Sequence, residues 1–266
     1  MAPGTYVIHE VQHALGQPIS VFINSVVIDG DEPVLIDTGS LRNRQAWLED
    51  TFHLVDPKRI KWVFVSHEDA DHVGNLDQVM EACPNANLVC SWAITERHTN
   101  AFDFPLGRCR WMDDGLSFDA GDRQMTVVRP PLYDSPTTRG LFDHKTSVYW
   151  AVDSFATPVP GGEGARHLAG DVSDLDDEFW THGMTMFAFN ALAPWLRLVD
   201  PELFSAEVAR LSEFPISTII SAHSPAITGS KIPEVFEKTR ALPQVESPPA
   251  PDQAVLDLIV AATQGP

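Results

Sequence analysis

The sequence predicts an α+β fold in which two β-sheets pack face to face and helices cover their outer sides. Apolar, β-branched runs bounded by Gly, Asp and Pro dominate the first half of the chain. Helical patterning then extends from about residue 175 to residue 210, and a late apolar strand follows at 217–221. Several predicted strands are apolar along most of their length, which is typical of strands covered on both faces. Together these observations favour two covered sheets.

Turn and helix signals place the individual elements in order. The segment 29–31 separates the second and third strands, Gly74 opens a helix that ends before Pro84, and 143–146 is typical of a hairpin turn. A Pro-rich linker, 244–251, precedes the last helix. The predicted strands are 6–11, 19–28, 33–36, 61–66, 87–90, 125–128, 140–142, 147–152 and 217–221, and the helices outside the 175–210 region are 43–54, 76–82, 91–99, 233–240 and 252–262.

Composition limits the partners and the compartment. The formal net charge of −19 argues against nucleic acid and anionic membranes as partners, because both are themselves negative. Cys83, Cys90 and Cys109 have neither zinc-finger nor redox spacing, which predicts reduced thiols. The N-terminal segment does not resemble a signal peptide, and no stretch of about 18 apolar residues occurs. We therefore expect a cytoplasmic protein that does not cross a membrane.

A cluster of residues that can bind metal follows the apolar run 62–66: His67, Asp69, Asp71 and His72. Two carboxylates about 4 Å apart repel by roughly 4 kcal/mol at an effective dielectric constant of 20, and no Lys or Arg lies inside the cluster. In an extended segment residues 67, 69 and 71 point to one side, and His72 can turn toward a second ion. A solvated acidic loop would leave both histidines unexplained. The cluster therefore predicts a binuclear metal site.

Further polar side chains lie at the ends of predicted buried strands. Asp37, Asp153 and His223 each follow one such strand. Loops at strand ends, held by a rigid sheet, commonly carry the residues of a functional site. Two ions about 3.5–4 Å apart need a bridging carboxylate, and Asp153 is a candidate for that role.

These residues resemble the metallo-β-lactamase superfamily, whose usual motif is His-x-His-x-Asp-His. Asp69 replaces the second His, and a carboxylate there marks the flavodiiron proteins and their flavodoxin-free relatives, the oxygen-binding diiron proteins, which carry Glu. Segments 84–90 and 221–227 are also similar to that branch. The resemblance implies an αββα sandwich of metallo-β-lactamase type, formed by residues 1–266 as a single domain.

The resemblance also implies the remaining ligands. In that family a middle His precedes the bridging Asp by eighteen intervening residues, and the same count back from Asp153 reaches Asp134. Tyr133 is the alternative if the frame slips by one residue. Asp37 resembles a residue that orients a ligand through a hydrogen bond without binding metal. The implied ligands are His67, Asp69 and Asp134 on one ion, Asp71, His72 and His223 on the other, and Asp153 as the bridge.

The donor types indicate which metals to expect. Three imidazoles and four carboxylates form an oxygen-rich set that suits iron or manganese better than zinc, although imidazole sites also accept zinc. We expect two metal ions, with iron first and manganese and zinc as alternatives.

An aromatic and Met-rich stretch, 179–195, can either pack in the core or cover the metal site as an apolar chamber. Trp180 and Phe187 are its candidate pocket residues, and Tyr133 is a third. Arg139 is expected to form a structural ion pair, and His144 to lie at an exposed hairpin tip.

Three functional hypotheses follow from the resemblance and the donor set. The first is a non-haem diiron oxidoreductase that binds or activates O₂ or a related diatomic and acts on a small substrate, aromatic substrates included. No flavodoxin-like segment fits in the remaining length, so electrons would come from an external donor or from the substrate. The second is a binuclear hydrolase of an ester, lactone or amide, in which the ions lower the pKa of a bridging water toward about 7. The third is a non-catalytic oxygen sensor or carrier. Related proteins often pair, which suggests a homo-oligomer with the C-terminal helix as a docking element.

Overall fold

The computed structural model describes residues 2–14, 16–99, 102–162 and 167–263. In these ranges the chain forms two sheets and two helical layers. The strands are β1 Thr5–His13, β2 Ile19–Ile28, β3 Val34–Ile36, β4 Trp62–Phe64, β5 Asn87–Cys90, β6 Cys109–Trp111, β7 Ser117–Asp119, β8 Gln124–Val128, β9 Gly140–Asp143, β10 Val148–Trp150, β11 Val159–Pro160, β12 Thr218–Ile220 and β13 Ile227–Thr228. The α-helices are α1 Arg44–Leu54, α2 Leu76–Ala82, α3 Trp92–Arg97, α4 Asp177–Phe187, α5 Pro201–Arg210, α6 Lys231–Ala241 and α7 Gln253–Thr263.

The first sheet has the strand order β1-β2-β3-β4-β5-β6, and β11 also pairs with β2. Its strands are antiparallel from β1 to β3 and parallel from β3 to β6. The second sheet has the order β13-β12-β10-β9-β8-β7 and is antiparallel except for the parallel pair β10–β12. Parallel neighbours end at the same edge of a sheet, so the loops after β3 and β4 meet there, as do those after β10 and β12.

The strands bury side chains on both faces, because successive residues of a strand point to opposite sides. In β2, Val26 and Ile28 lie in the core between the two sheets, whereas Val27 lies in the core beneath α1 and α2. The other side of the sheet interface is contributed by residues such as Met125 and Trp150. A third core joins the outer face of the second sheet to α4, α5 and α6. Three parallel cores between four layers are the αββα sandwich, which confirms the predicted fold class.

Most predicted elements are present with similar bounds, and β2 and α2 have the predicted bounds. The sequence did not indicate β6, β7, β11 or β13, because each has only two or three residues and most of these residues are partly exposed. After the linker, α7 contacts the turn between β1 and β2 through Ile259, which lies over Gly16. None of the described helices has the length and apolar character needed to cross a bilayer.

Candidate metal centre

Loops from both sheets form the candidate metal centre. Asp37 follows β3, the segment 67–72 follows β4, Asp153 follows β10 and His223 follows β12. The two sheets are joined nearby, since the Asn24 N–H donates a hydrogen bond of 2.8 Å to the carbonyl of Ala222. The centre is therefore held by the ends of buried strands on two sides.

The structure brings the seven candidate ligands together in two groups joined by a shared carboxylate. Asp153 Oδ2 lies 3.3 Å from His67 Nε2, and Asp153 Oδ1 lies 3.2 Å from His72 Nε2 and 3.3 Å from His223 Nε2. The two oxygens of Asp153 thus face different groups, as would be needed for a carboxylate shared by two ions. Ligand atoms lie within 4.8 Å of one another in the group His67, Asp69 and Asp134 and in the group Asp71, His72 and His223.

Several of these atoms fit a cation better than they fit one another. Among the described residues, His67 Nε2, His72 Nε2 and Asp153 Oδ1 are buried without a hydrogen-bond partner. A buried polar atom left unsatisfied costs about 1–3 kcal/mol, and these three converge on the same space. Metal ions bound there would satisfy all three atoms, so the residues fit a metal centre.

The charges of the centre are strongly coupled. Burial alone would raise the pKa of Asp153, but the nearby imidazoles of His67 and His72 outweigh it and hold the pKa well below its usual range. Burial alone would lower the pKa of His72, but Asp153 and Asp37 outweigh it and raise the pKa well above its usual value. Protons and metal ions therefore compete for the imidazole nitrogens of this centre.

Asp37 orients His72 through the ring nitrogen that does not face the metal centre. Its Oδ2 lies 2.8 Å from His72 Nδ1 and accepts a 2.7 Å hydrogen bond from Ser66 Oγ, while its Oδ1 accepts the Ser66 N–H at 2.7 Å. The backbone of Asp37 has a φ of 58°, a region that Asp tolerates better than most residues. A hydrogen bond at Nδ1 directs Nε2 of His72 into the centre.

His223 is held by contacts that the sequence did not indicate. Its Nδ1 donates a 2.7 Å hydrogen bond to the carbonyl of Phe22, which leaves Nε2 facing the centre. Asn24 Nδ2 donates to the carbonyls of Ser221 and Ser224 at 2.8 and 3.0 Å and so fixes the loop around His223. The signal for Asn24 was an amide side chain inside β2, where the other polar residues are Ser20 and Ser25.

Glu68 points away from the centre although it lies inside the cluster. It forms an ion pair with Arg97 of α3 and accepts hydrogen bonds from Thr137 and from Ser135 Oγ, the latter at 3.0 Å. Burial would raise the pKa of Glu68, but the hydrogen bonds from Thr137 and Arg97 lower it overall. Glu68 thus ties the loop 67–72 to the loop that carries Asp134.

The backbone on both sides of Asp153 is strained. Val152 and Phe155 have φ values of 56° and 67°, and positive φ is a genuine outlier for a β-branched residue such as Val. The carbonyl of Val152 accepts hydrogen bonds from the Ala222 N–H at 2.6 Å and from Ser221 Oγ at 3.1 Å. Strain of about 1–3 kcal/mol per residue persists only where neighbouring contacts enforce it, and here it directs Asp153 toward the imidazoles.

The ring of the alternative ligand Tyr133 contacts residues outside the two groups. Its ring lies 5.3 Å from that of Trp195, and Arg129 lies 5.5 Å above it. The residue grouped with His67 is Asp134, whose carboxylate is exposed. Tyr133 instead lines a separate cavity.

The two other candidate pocket residues differ. Phe187 lies beside the centre, with its ring 6.4 Å from that of His223 at an interplanar angle of 18°. Trp180 is fully buried in the outer core, with Lys231 and Lys238 above its ring at 4.8 and 5.0 Å. Its position corrects its assignment to the pocket, because the apolar face of α4 packs against the second sheet.

Two residues with structural expectations lie outside the centre. Arg139 is buried and its Nε donates to Asp113 Oδ1 at 2.7 Å, as expected for a structural ion pair. His144 is exposed after β9, with its Nε2 2.7 Å from Thr126 Oγ1.

An αββα sandwich with imidazoles and carboxylates gathered at its strand ends is the architecture of the metallo-β-lactamase superfamily. Within it, the family model described as "ODP family beta lactamase" matches residues 22–211, well over half of the chain. The chain belongs to this family, which confirms the relationship predicted from the motif.

Individual relatives agree with this assignment. The chain is 24% identical over 201 residues to the anaerobic nitric oxide reductase flavorubredoxin of Pectobacterium atrosepticum. This match covers 75% of this chain and 38% of the relative. The flavodiiron protein from Giardia intestinalis has a similar structure, with a TM-score of 0.73, 20% identity and coverage of 92% of this chain and 58% of that one. The rubredoxin oxygen:oxidoreductase from Desulfovibrio gigas has a TM-score of 0.71, 15% identity and coverage of 91% and 60%. The chain spans 23% to 54% of the length of the first curated relatives it matches.

Proposed function

We propose that this protein is a non-haem diiron oxidoreductase whose substrate is a small diatomic, O₂ or NO. The donor set carries the proposal, because four carboxylates and three imidazoles converge in two groups around Asp153. Such oxygen-rich surroundings favour iron or manganese over zinc. The names of similar proteins, a nitric oxide reductase, a flavodiiron protein and an oxygen:oxidoreductase, support the same chemistry.

The residues of the chain would bind the two metal ions, set the distance between them and leave them accessible to a small ligand. Two bound iron ions supply one-electron redox chemistry at a site that can take a diatomic molecule. Asp153 would set the spacing of the two ions, and the exposed Asp69 and Asp134 would leave that side open to a small ligand. A cavity of about 580 Å³ beside Asp71 gives a second approach from solvent. Phe187 shields the imidazole of His223.

We further propose that electrons arrive from an external carrier. The names of two similar proteins contain a rubredoxin component, which is consistent with an electron-carrying partner. We also propose that residues 1–266 act as one domain, because α7 packs back on the turn at Gly16.

The metal content tests the proposal directly. Protein purified without chelator is expected to contain about two iron ions per chain, as the two-group geometry requires. After anaerobic reduction, it should consume O₂ or NO in the presence of a chemical electron donor, with a change in the visible spectrum. Two zinc ions, no colour change and hydrolysis of an ester would contradict the proposal in favour of a hydrolase. Reversible O₂ binding without consumption would contradict turnover and indicate a carrier.

The variant Asp134→Ala tests the assignment of the third ligand of the first group. We expect it to lose about one ion per chain, because His67 and Asp69 alone hold that ion weakly, while Asp71, His72 and His223 keep theirs. Elemental analysis measures the loss. The matched control is Asp171→Ala, which removes a half-buried aspartate that caps the turn Val172–Asp174 away from the metal centre. Retention of both ions by Asp134→Ala would show that another group fills that place.

A further inference from the structure

A second cavity, of about 850 Å³, borders the loop that carries Asp134. Its volume is in the range that holds a small organic molecule. Aromatic rings form its apolar walls: those of Tyr133 and Trp195 are 5.3 Å apart, and those of Trp195 and Phe204 are 6.4 Å apart in an edge-to-face arrangement. Walls of this kind fit a flat aromatic ligand.

The charged groups of the cavity are unequally satisfied. Asp113 is bound by Arg139, with Nε and Nη2 both 2.7 Å from Asp113 Oδ1. Asp114 is bound by Arg210 Nη1 at 3.0 Å, and it accepts a hydrogen bond from the backbone N–H of Arg129 at 2.6 Å. The guanidinium of Arg129 is different. Among the described residues its Nε has no hydrogen-bond partner, and its Nη2 lies 3.8 Å from Asp113, beyond hydrogen-bond distance.

The remaining acidic residues of the lining are also occupied. Asp200 Oδ1 accepts the N–H groups of Glu202 and Leu203 at 2.8 and 3.1 Å and so caps α5. Glu207 Oε2 lies 3.3 Å from Arg210 Nε. Each of these carboxylates therefore has a hydrogen-bond donor or a cation beside it. The guanidinium of Arg129, in contrast, lacks an acceptor at hydrogen-bond distance among the described residues. An anionic acceptor would satisfy it.

We propose that this cavity binds a small aromatic carboxylate, with its ring against the wall formed by Tyr133, Trp195 and Phe204 and its carboxylate on Arg129. A planar guanidinium matches a carboxylate through two parallel hydrogen bonds, and the aromatic walls account for the ring. The proposal does not rest on the identity of the metals, because none of these residues belongs to the candidate metal centre.

Occupancy of the cavity would act on the metal centre through one hydrogen bond. Trp195 Nε1 donates to the carbonyl of Tyr133 at 3.0 Å, and the next residue is Asp134. A ligand that moves the indole of Trp195 therefore moves the backbone that positions this carboxylate. The cavity is thus placed to couple an aromatic acid to one of the two metal positions.

Three probes that share one ring test the binding site: 4-hydroxyphenylacetate, its neutral amide and the cation tyramine. Calorimetric titration of the purified full chain is expected to show that the acid binds at least about tenfold more tightly than the amide, as a charge-assisted pair implies. Tyramine should bind more weakly than the acid. Equal or tighter binding of the amide or of tyramine, or no saturable binding of the acid, would overturn the proposal.

Variants locate the carboxylate. Arg129→Gln should lose about tenfold in affinity for the acid and little for the amide, and Arg129→Lys should lose less. Unchanged binding of the amide shows that the cavity remains folded. The matched control is Arg197→Gln, because Arg197 stacks over Phe189 at 6.0 Å outside this cavity. Acid binding that is unaffected by Arg129→Gln would overturn the assignment.

A separate measurement tests the coupling between the cavity and the metal centre. Trp195→Phe keeps a ring but removes the Nε1 donor, so we expect the acid still to bind. In the native chain the acid should change the rate at which a chelator removes one metal ion, whatever that metal is. The same effect in Trp195→Phe, or no effect in the native chain, would refute the coupling.

Discussion

Removing the metal ions with a chelator is expected to lower the Tm of this protein by about 12 °C or more. An ion present at about 100 to 1,000 times its Kd stabilises the folded state by about 3–4 kcal/mol, so two positions contribute about 6–8 kcal/mol. In a domain of this size each kcal/mol changes Tm by about 2–4 °C. The shift should therefore be far larger than that of an ordinary surface substitution.

The lower end of the expected change in Tm is the better expectation, because protons compete with metal ions for the imidazole nitrogens and can bind there when the ions are absent. In metal-free protein the carboxylate of Asp153 lies 3.2–3.3 Å from the Nε2 atoms of His67, His72 and His223 and raises the pKa values of these imidazoles. Asp69 and Asp134 are exposed, so water screens their mutual repulsion. The buried atoms of the centre lose most, since His67 Nε2 and His72 Nε2 have no other partner among the described residues.

Thermal unfolding followed by circular dichroism measures this effect on purified, chelated and metal-reloaded protein. The metal-reloaded sample should regain the original Tm, which separates metal loss from irreversible damage. A chelated sample that is shown by elemental analysis to be metal-free, yet melts at the original temperature, would mean that the cluster is stable without cations.

Local sequence patterns predicted most of the elements and the candidate site residues that lie next to them in the chain. The run of β-branched residues in β2 and the stop at Pro84 after α2 are local signals, and the structure has both elements with the predicted bounds. The positions of Asp37, His67, Asp153 and His223 follow from the same logic, because a polar residue directly after a buried strand must emerge at the sheet edge. The structure brings these residues together at one site.

Local patterns could not predict contacts between residues that lie far apart in the sequence. Arg97 neutralises Glu68 from a helix 29 positions away, so the loop 67–72 is less acidic than its own residues suggest. Trp180 looked like a pocket residue because aromatic residues suit both a pocket and a core, and only the position of α6 with its two lysines decides between them. Asn24 supports His223 across 197 and 200 positions, and its partners are backbone carbonyls that no sequence pattern marks.

The variant Asp153→Asn is expected to reduce the metal content from about two ions per chain to less than one and to abolish the proposed consumption of O₂ or NO. Asn has nearly the same shape but offers one neutral oxygen and an NH₂ group that repels a cation. Since Asp153 faces His67 with one oxygen and His72 and His223 with the other, a single change weakens both positions. Loss of a residue that only orients a ligand typically costs about 10–100-fold in metal affinity, and loss of a bridging ligand should cost more.

The control for this variant is Asp143→Asn, another buried aspartate of the same sheet. Asp143 pairs with Arg123 Nη1 at 2.9 Å and accepts Thr146 Oγ1 at 2.7 Å, away from the metal centre. Breaking a buried ion pair costs about 3–5 kcal/mol, so this variant should melt earlier and still bind about two ions, one per ligand group. Metal loss in both variants would mean that metal content reports general destabilisation. Metal loss in Asp153→Asn alone would assign the shared ligand to Asp153, because the two variants differ in which group they break and not in the kind of residue removed.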